Sequence, residues 1–109
     1  MGILYVLANR SRREKLSFEH LGLGKRSEWI LNRPAASAAT LYLIDCTGDD
    51  VAFVDDIGGW PFEGPHDDLG TYRNVTREVL EKMVALDLVR DRDPDSFVDH
   101  WAPPTSTTQ

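Results

Sequence analysis

The chain has 109 residues, 41% of them hydrophobic and 28% charged, with a net charge of −6; this suits one globular domain. No apolar run approaches the roughly 20 residues that cross a bilayer, and the acidic total argues against nucleic acid or an anionic membrane as the main partner. The one cysteine, Cys46, excludes an internal disulfide and gives no metal cluster.

Ile3 to Asn9 is apolar on both parities, which predicts a central, well-covered strand. The polar run Arg10-Ser11-Arg12-Arg13 makes an exposed turn. Glu14 to Phe18 then alternates, with Leu16 and Phe18 on one face, so the N-terminus reads as a hairpin. Its apolar start has no basic residues before it and is too short for a secretory signal, so we expect a cytoplasmic protein.

Gly22 and Gly24 break the chain. Lys25 to Asn32 can form a short helix with Trp29 and Ile30 inward. Pro34 suits the first turn of a new helix. Ala35 to Cys46 is apolar nearly all round and predicts a buried helix ending near Gly48. The competing reading is a strand over Thr40–Cys46, paired with Val51–Asp55 through the turn at Thr47-Gly48-Asp49. Val51 to Asp55 reads as a strand with Val51 and Phe53 on one face.

Asp56 to Arg73 is a loop of about 18 residues, long for a compact domain, and such loops are functional or disordered. Its Trp60, Phe62, Leu69 and Tyr72 predict a packed loop. Thr76 to Leu88 is a helix capped by Asn74 or Thr76, with Val79, Leu80, Met83 and Val84 as its apolar stripe and Glu78–Lys82 as an outer i,i+4 pair. Asp93-Pro94-Asp95 makes a turn, and Ser96–His100 is a last short strand. The whole is an α+β fold: a small antiparallel β-sheet, built on the N-terminal hairpin and the central strand, packed by two or three helices. Residues 1–101 form the domain and 102–109 a polar, frayed tail.

Charge is segregated along the chain. Residues 1–33 hold seven basic and three acidic side chains, whereas Asp45 to Asp68 hold eight acids and no Lys or Arg. Asp55, Asp56, Glu63, His66, Asp67 and Asp68, interleaved with Trp60, Phe62 and Tyr72, have the composition of an interface: aromatic anchors in a charged rim. This predicts a non-enzymatic domain, without a cofactor, that binds a protein with a basic surface. In size and charge the chain is similar to small acidic bacterial inhibitors such as the immunity proteins of toxin systems. The competing expectation is a small metal-binding or metal-dependent hydrolytic domain on the Asp/His cluster 55–68, since carboxylates and imidazole ligate divalent ions. The order His20, His66-Asp67, Asp87 resembles that of metal phosphohydrolases with a His…His-Asp…Asp pattern, although those enzymes set their ligands on helices and His66 follows Pro65 in a loop. Glu81 to Val98 resembles the recognition-helix end and wing of a winged-helix domain, but without a basic recognition face. Cys46 ends an apolar segment and reads as an inert buried thiol.

Overall fold

The computed structural model describes residues 3–58, 60–88, 98 and 100–102. The elements run β1 (Tyr5–Asn9), β2 (Glu14–Leu16), α1 (Arg26–Leu31), α2 (Arg33–Asp45), β3 (Val51–Asp55), β4 (Arg73–Asn74) and α3 (Thr76–Ala85). The sheet order is β3-β1-β2-β4. β1 pairs antiparallel with both β2 and β3. The short β4 adds a parallel pair on β2, at the end of the predicted loop. This is the expected small α+β fold, with the hairpin at the centre of its sheet, β3 at one edge and β4 at the other.

The period of two in a strand divides the sheet into two faces. On one, Leu7 lies opposite Leu16 and Phe53. Leu7, Leu16 and Phe18 form the main core with Trp29, Ala38, Tyr42, Leu80 and Met83 from the three helices. On the other, Ala8 and Val54 form a second core with Phe62 and Tyr72. The sheet is therefore covered by helices on one side and by the long loop on the other.

The tight β1–β2 turn is built by side chains. Asn9 is buried; its Oδ1 accepts from the Arg12 N–H at 3.1 Å and its amide donates to Asp49 at 2.9 Å. Arg13 closes the turn at φ 53°, in the left-handed region that costs a residue with a Cβ about 1 kcal/mol or more.

α1 has six residues, so it can present only one large side chain to the core. That residue is Trp29, packed against Phe18 and Phe53 with ring centres 5.6 and 5.0 Å away. The pattern predicts Ile30 inward as well; the structure turns it to solvent, 65% exposed, because neighbours on a helix point about 100° apart. Glu28 reaches back to accept the N–H groups of Gly24 and Lys25, which satisfies the helix start.

α2 is a helix through Asp45, so the alternative strand at Thr40–Cys46 does not form. Pro34 occupies its first turn and Asn32 caps it by accepting from the Ala35 N–H. It is buried on one face only, through Ala35, Ala38, Ala39 and Tyr42, whereas Leu43 and Ile44 are exposed. A domain this small has nothing left to cover the outer face of the expected buried helix.

α3 starts as expected, with Asn74 Oδ1 accepting from the Thr76 N–H at 2.9 Å, but it ends earlier than Leu88. Asp87 adopts φ 58°. The Asp87 N–H donates to the Val84 carbonyl and the Leu88 N–H to that of Met83, the closing pattern in which glycine is usual. Glu78 and Lys82 do not pair with each other. Glu78 takes Arg73 and Lys82 takes Asp45, so longer-range partners replace the i,i+4 pair. The start of α3 is also stitched to the residue that follows β2, since buried Thr76 Oγ1 accepts from the Ser17 N–H and donates to the Ser17 carbonyl, each at 3.0 Å.

The predicted strand Ser96–His100 is corrected at its described positions. Val98 and His100 are helical, and the Ala102 N–H donates to the Val98 carbonyl at 2.8 Å. Val98 and Ala102 are buried in the main core, so Ala102 is not part of a frayed tail. The turn at Asp93-Pro94-Asp95 and the tail residues 103–109 lie outside the described residues, as does half of the wing-like segment Glu81–Val98.

Candidate functional site

The acidic loop leaves β3 through a reciprocal bridge. The Asp56 N–H donates to the Leu4 carbonyl at 3.0 Å, and Asp56 Oδ1 accepts from the Leu4 N–H at 3.1 Å. Asp55 Oδ1 accepts from the Ile57 N–H, an aspartate turn that starts the loop. Gly58, at φ 95°, then reverses the chain in a conformation that residues with a Cβ avoid.

Beyond this reversal the aromatic residues go inward. Phe62 is 7% and Tyr72 3% exposed, and half-buried Trp60 packs against them on the second face of the sheet. Trp60 meets Phe62 edge-on with ring centres 5.1 Å apart, and the His66 ring lies over Trp60 at 4.6 Å. These side chains are the floor of the loop layer rather than exposed anchors.

Arginines from the β1–β2 turn hold the loop from outside. Arg10 donates to the Glu63 carbonyl. Arg13 donates to Asp67 Oδ2 at 2.6 Å and to the Thr71 hydroxyl, and its guanidinium lies 4.8 Å from the centre of the Tyr72 ring. Lys15 donates to the Leu69 carbonyl at 3.1 Å. Farther along the same edge, Arg12 pairs with Asp49 at 2.7 Å and the Asp50 N–H donates to the Ser11 hydroxyl. The basic and acidic stretches segregated in sequence are thus partners in the fold. No sequence pattern pairs a turn with residues some 50 positions away, so Arg10 and Arg13 escape sequence reasoning; their concentration at one tip was the available signal.

Asp67 is the hub of the clamp. One oxygen takes Arg13 and the Tyr72 hydroxyl, and the other accepts from the Asp68 N–H. The Arg13 hydrogen bond, followed by that N–H, holds the Asp67 carboxyl below the usual carboxylate range. Burial, reinforced by Asp67, pushes the Tyr72 hydroxyl upward. Asp68 Oδ1 caps the turn at Leu69–Thr71 by accepting from the Gly70 N–H at 2.8 Å.

Asp55, Asp56, His66, Asp67 and Asp68 line one open hollow of about 480 Å³, completed by Val54, Gly58 and Leu69. Glu63 lies outside that lining, and its carbonyl takes Arg10. The metal expectation loses its geometry: among the described residues no three His, Cys, Asp or Glu side chains converge as an ion would require. Asp67 spends its oxygens on Arg13, the Tyr72 hydroxyl and the Asp68 N–H, and Asp56 and Asp68 each spend one on the backbone. His20 and Asp87 do not join the cluster: His20 bonds the Trp101 carbonyl and Asp87 closes α3. Cys46 is buried, as expected.

The sequence reading also passes over an apolar groove on the helix side, lined by Tyr5, Trp29, Ile30, Thr40, Leu43 and Phe53 among others. Its trace in the sequence is the pair of adjacent apolar residues on each of α1 and α2, Ile30-Leu31 and Leu43-Ile44, which one inward face cannot both bury. No helix among the described residues is long and apolar enough to cross a membrane. No family model, curated protein sequence or solved structure matches this chain.

Proposed function

We propose that this chain is a non-enzymatic protein-interaction domain, inhibitor-like in its acidity, that holds a protein with a basic surface on the hollow rimmed by Asp55, Asp56 and Asp68. The observation that carries this reading is preorganisation. A loop of this length would ordinarily lose much entropy when it binds. Here it is already packed on Phe62 and Tyr72 and pinned by Arg10 and Arg13, so its carboxylates are held in place before a partner arrives. Clustered carboxylates at the rim of an open hollow attract a basic partner from a distance and orient its approach. The buried aromatics narrow the expected interface. Phe62 and Tyr72 serve by keeping the acids in place, and direct contact falls to Asp55, Asp56, His66 and Asp68.

The test neutralises charge while keeping the hydrogen-bond acceptors. A triple Asp55→Asn, Asp56→Asn, Asp68→Asn chain should keep its circular dichroism and melting temperature, because asparagine also accepts from the Leu4 and Gly70 N–H groups. A basic protein captured by the native chain from its own cell extract should associate with the triple variant about tenfold or more slowly at low salt, and the difference should shrink as salt rises. Equal association rates for the two chains would overturn the reading.

A further inference from the structure

We infer that the partner enters as an extended basic-ended segment that adds a strand to the free edge of β3, with its apolar side chains in the groove beside Phe53 and its basic end in the Asp55–Asp56 hollow. This rests on the acidic-surface reading above and names the form in which the partner is held.

β3 is the terminal strand of the sheet, and among the described residues no strand pairs with its outer side. In the β1–β3 register, Leu4 lies beside Asp56 and Arg10 beside Asp50; the Asp56 N–H donates to the Leu4 carbonyl and the Arg10 N–H to the Asp50 carbonyl, so these positions face each other across the ladder. Alternation then directs Ala52 and Val54 toward β1 and leaves the N–H and C=O groups of Val51 and Phe53 on the outer side. An exposed edge of this kind is a template for one more strand.

The side chains next to that edge suit an extended segment. Every second residue of an added strand would share the face of Phe53 and lie over the groove of about 560 Å³ between Phe53 and the helices α1 and α2. Its walls are open: Phe53 is 39%, Leu43 43% and Ile30 65% exposed. Single exposed apolar residues are ordinary; three lining one groove beside an unpaired edge are not.

Charge selects the occupant. Asp50 stands before β3, and Asp55 and Asp56 stand at its end. A second copy pairing antiparallel through the same edge, centred on Phe53, would set Asp50 of one chain against Asp56 of the other at both ends. Those like charges repel, a familiar guard against edge-to-edge association. A segment with Lys or Arg at its ends meets the same carboxylates favourably. Arg26, at the groove wall, disfavours basic residues in the middle of the segment.

The experiment titrates the full chain with a synthetic peptide alternating valine and threonine between Lys-Arg ends, read by backbone amide NMR shifts. Saturable binding is expected, with the largest shifts at Val51, Phe53 and the groove. A Glu-ended twin, a twin N-methylated at alternate residues, and the Ile30→Lys chain with the original peptide should each bind at least tenfold more weakly. Equal binding of the N-methylated twin, with the charge preference kept, would overturn strand addition and leave the acidic-surface reading standing. Equal binding of the Glu-ended twin would remove the charge argument from both. A dimer in sedimentation that protects the Val51 and Phe53 amides would give the edge to a second copy and overturn the proposal. No binding at millimolar peptide would overturn strand addition alone, with partner capture still deciding the broader reading.

Discussion

The two faces of the sheet are covered by different means. On the helix side, Leu16, Phe18, Leu80 and Met83 are sealed by elements whose backbone groups bond among themselves. On the loop side, Ala8 and Val54 are sealed by irregular chain whose backbone must find partners elsewhere. Side chains supply them: Arg10 to the Glu63 carbonyl, Lys15 to that of Leu69, Asp67 to the Asp68 N–H and Asp68 to the Gly70 N–H. A loop can serve as a structural layer when charged residues do the hydrogen bonding that a helix does internally. Such a layer sets its carboxylates around an open hollow, while the helix side leaves surplus apolar side chains in an open groove.

The largest effect expected from breaking this arrangement is in the helix-side core. Phe18→Ala should cost about 3–5 kcal/mol, a large part of the stability of a domain of this size, measured by denaturant unfolding. Phe62→Ala tests whether the loop layer is core of the same kind. The looser chain around it can partly close the gap, so about 3 kcal/mol or less is expected. A loss equal to that of Phe18→Ala would make the two layers equivalent.

The charged clamp is tested next. Arg13→Ala should leave the unfolding midpoint nearly in place, because the ion pair is exposed, yet speed hydrogen exchange at Asp68, Gly70 and Tyr72 several-fold. Acid tests the same contact. The folded Asp67 carboxyl titrates below its unfolded value, so between the two values the unfolded chain binds more protons. The contribution of Asp67 is therefore complete above the unfolded carboxylate value near pH 4 and is lost as pH falls through the folded one. Asp67→Asn should flatten that acid limb. Tyr72 acts with the opposite sign: its hydroxyl is raised, so its contribution is present below about pH 10 and lost as pH rises beyond it. The smallest effect is expected at the groove. Ile30→Ser should change stability by about 0.5 kcal/mol or less, since Ile30 is largely exposed; a larger loss would mean that the groove wall is core.

Much of the fold is legible because its signals are local. The hairpin, β3 and the start of α3 follow from parity, turn residues and the Asn74 cap. Ile30, Leu43 and Ile44 are misjudged because hydrophobicity states what a side chain prefers, and a chain of 109 residues cannot cover every apolar residue. The turn at Asp87 hides behind an aspartate in a position where glycine is the usual marker. β4 is short, and its partner β2 lies some 59 positions away, so no local pattern announces it.

The acidic loop shows the same division most clearly. By itself the sequence determined that residues 45–68 carry a concentrated negative charge, that the loop had aromatic residues enough to pack, and that the turn of the hairpin was an Arg-rich tip. Only the tertiary structure decided that Phe62 and Tyr72 face inward, that Arg10 and Arg13 clamp the loop, and that four aspartates and His66 surround one hollow without three of them meeting as metal ligands. Composition is a property of a stretch of chain, whereas convergence depends on contacts between residues some 50 positions apart, which exist only once the sheet has brought the turn and the loop together.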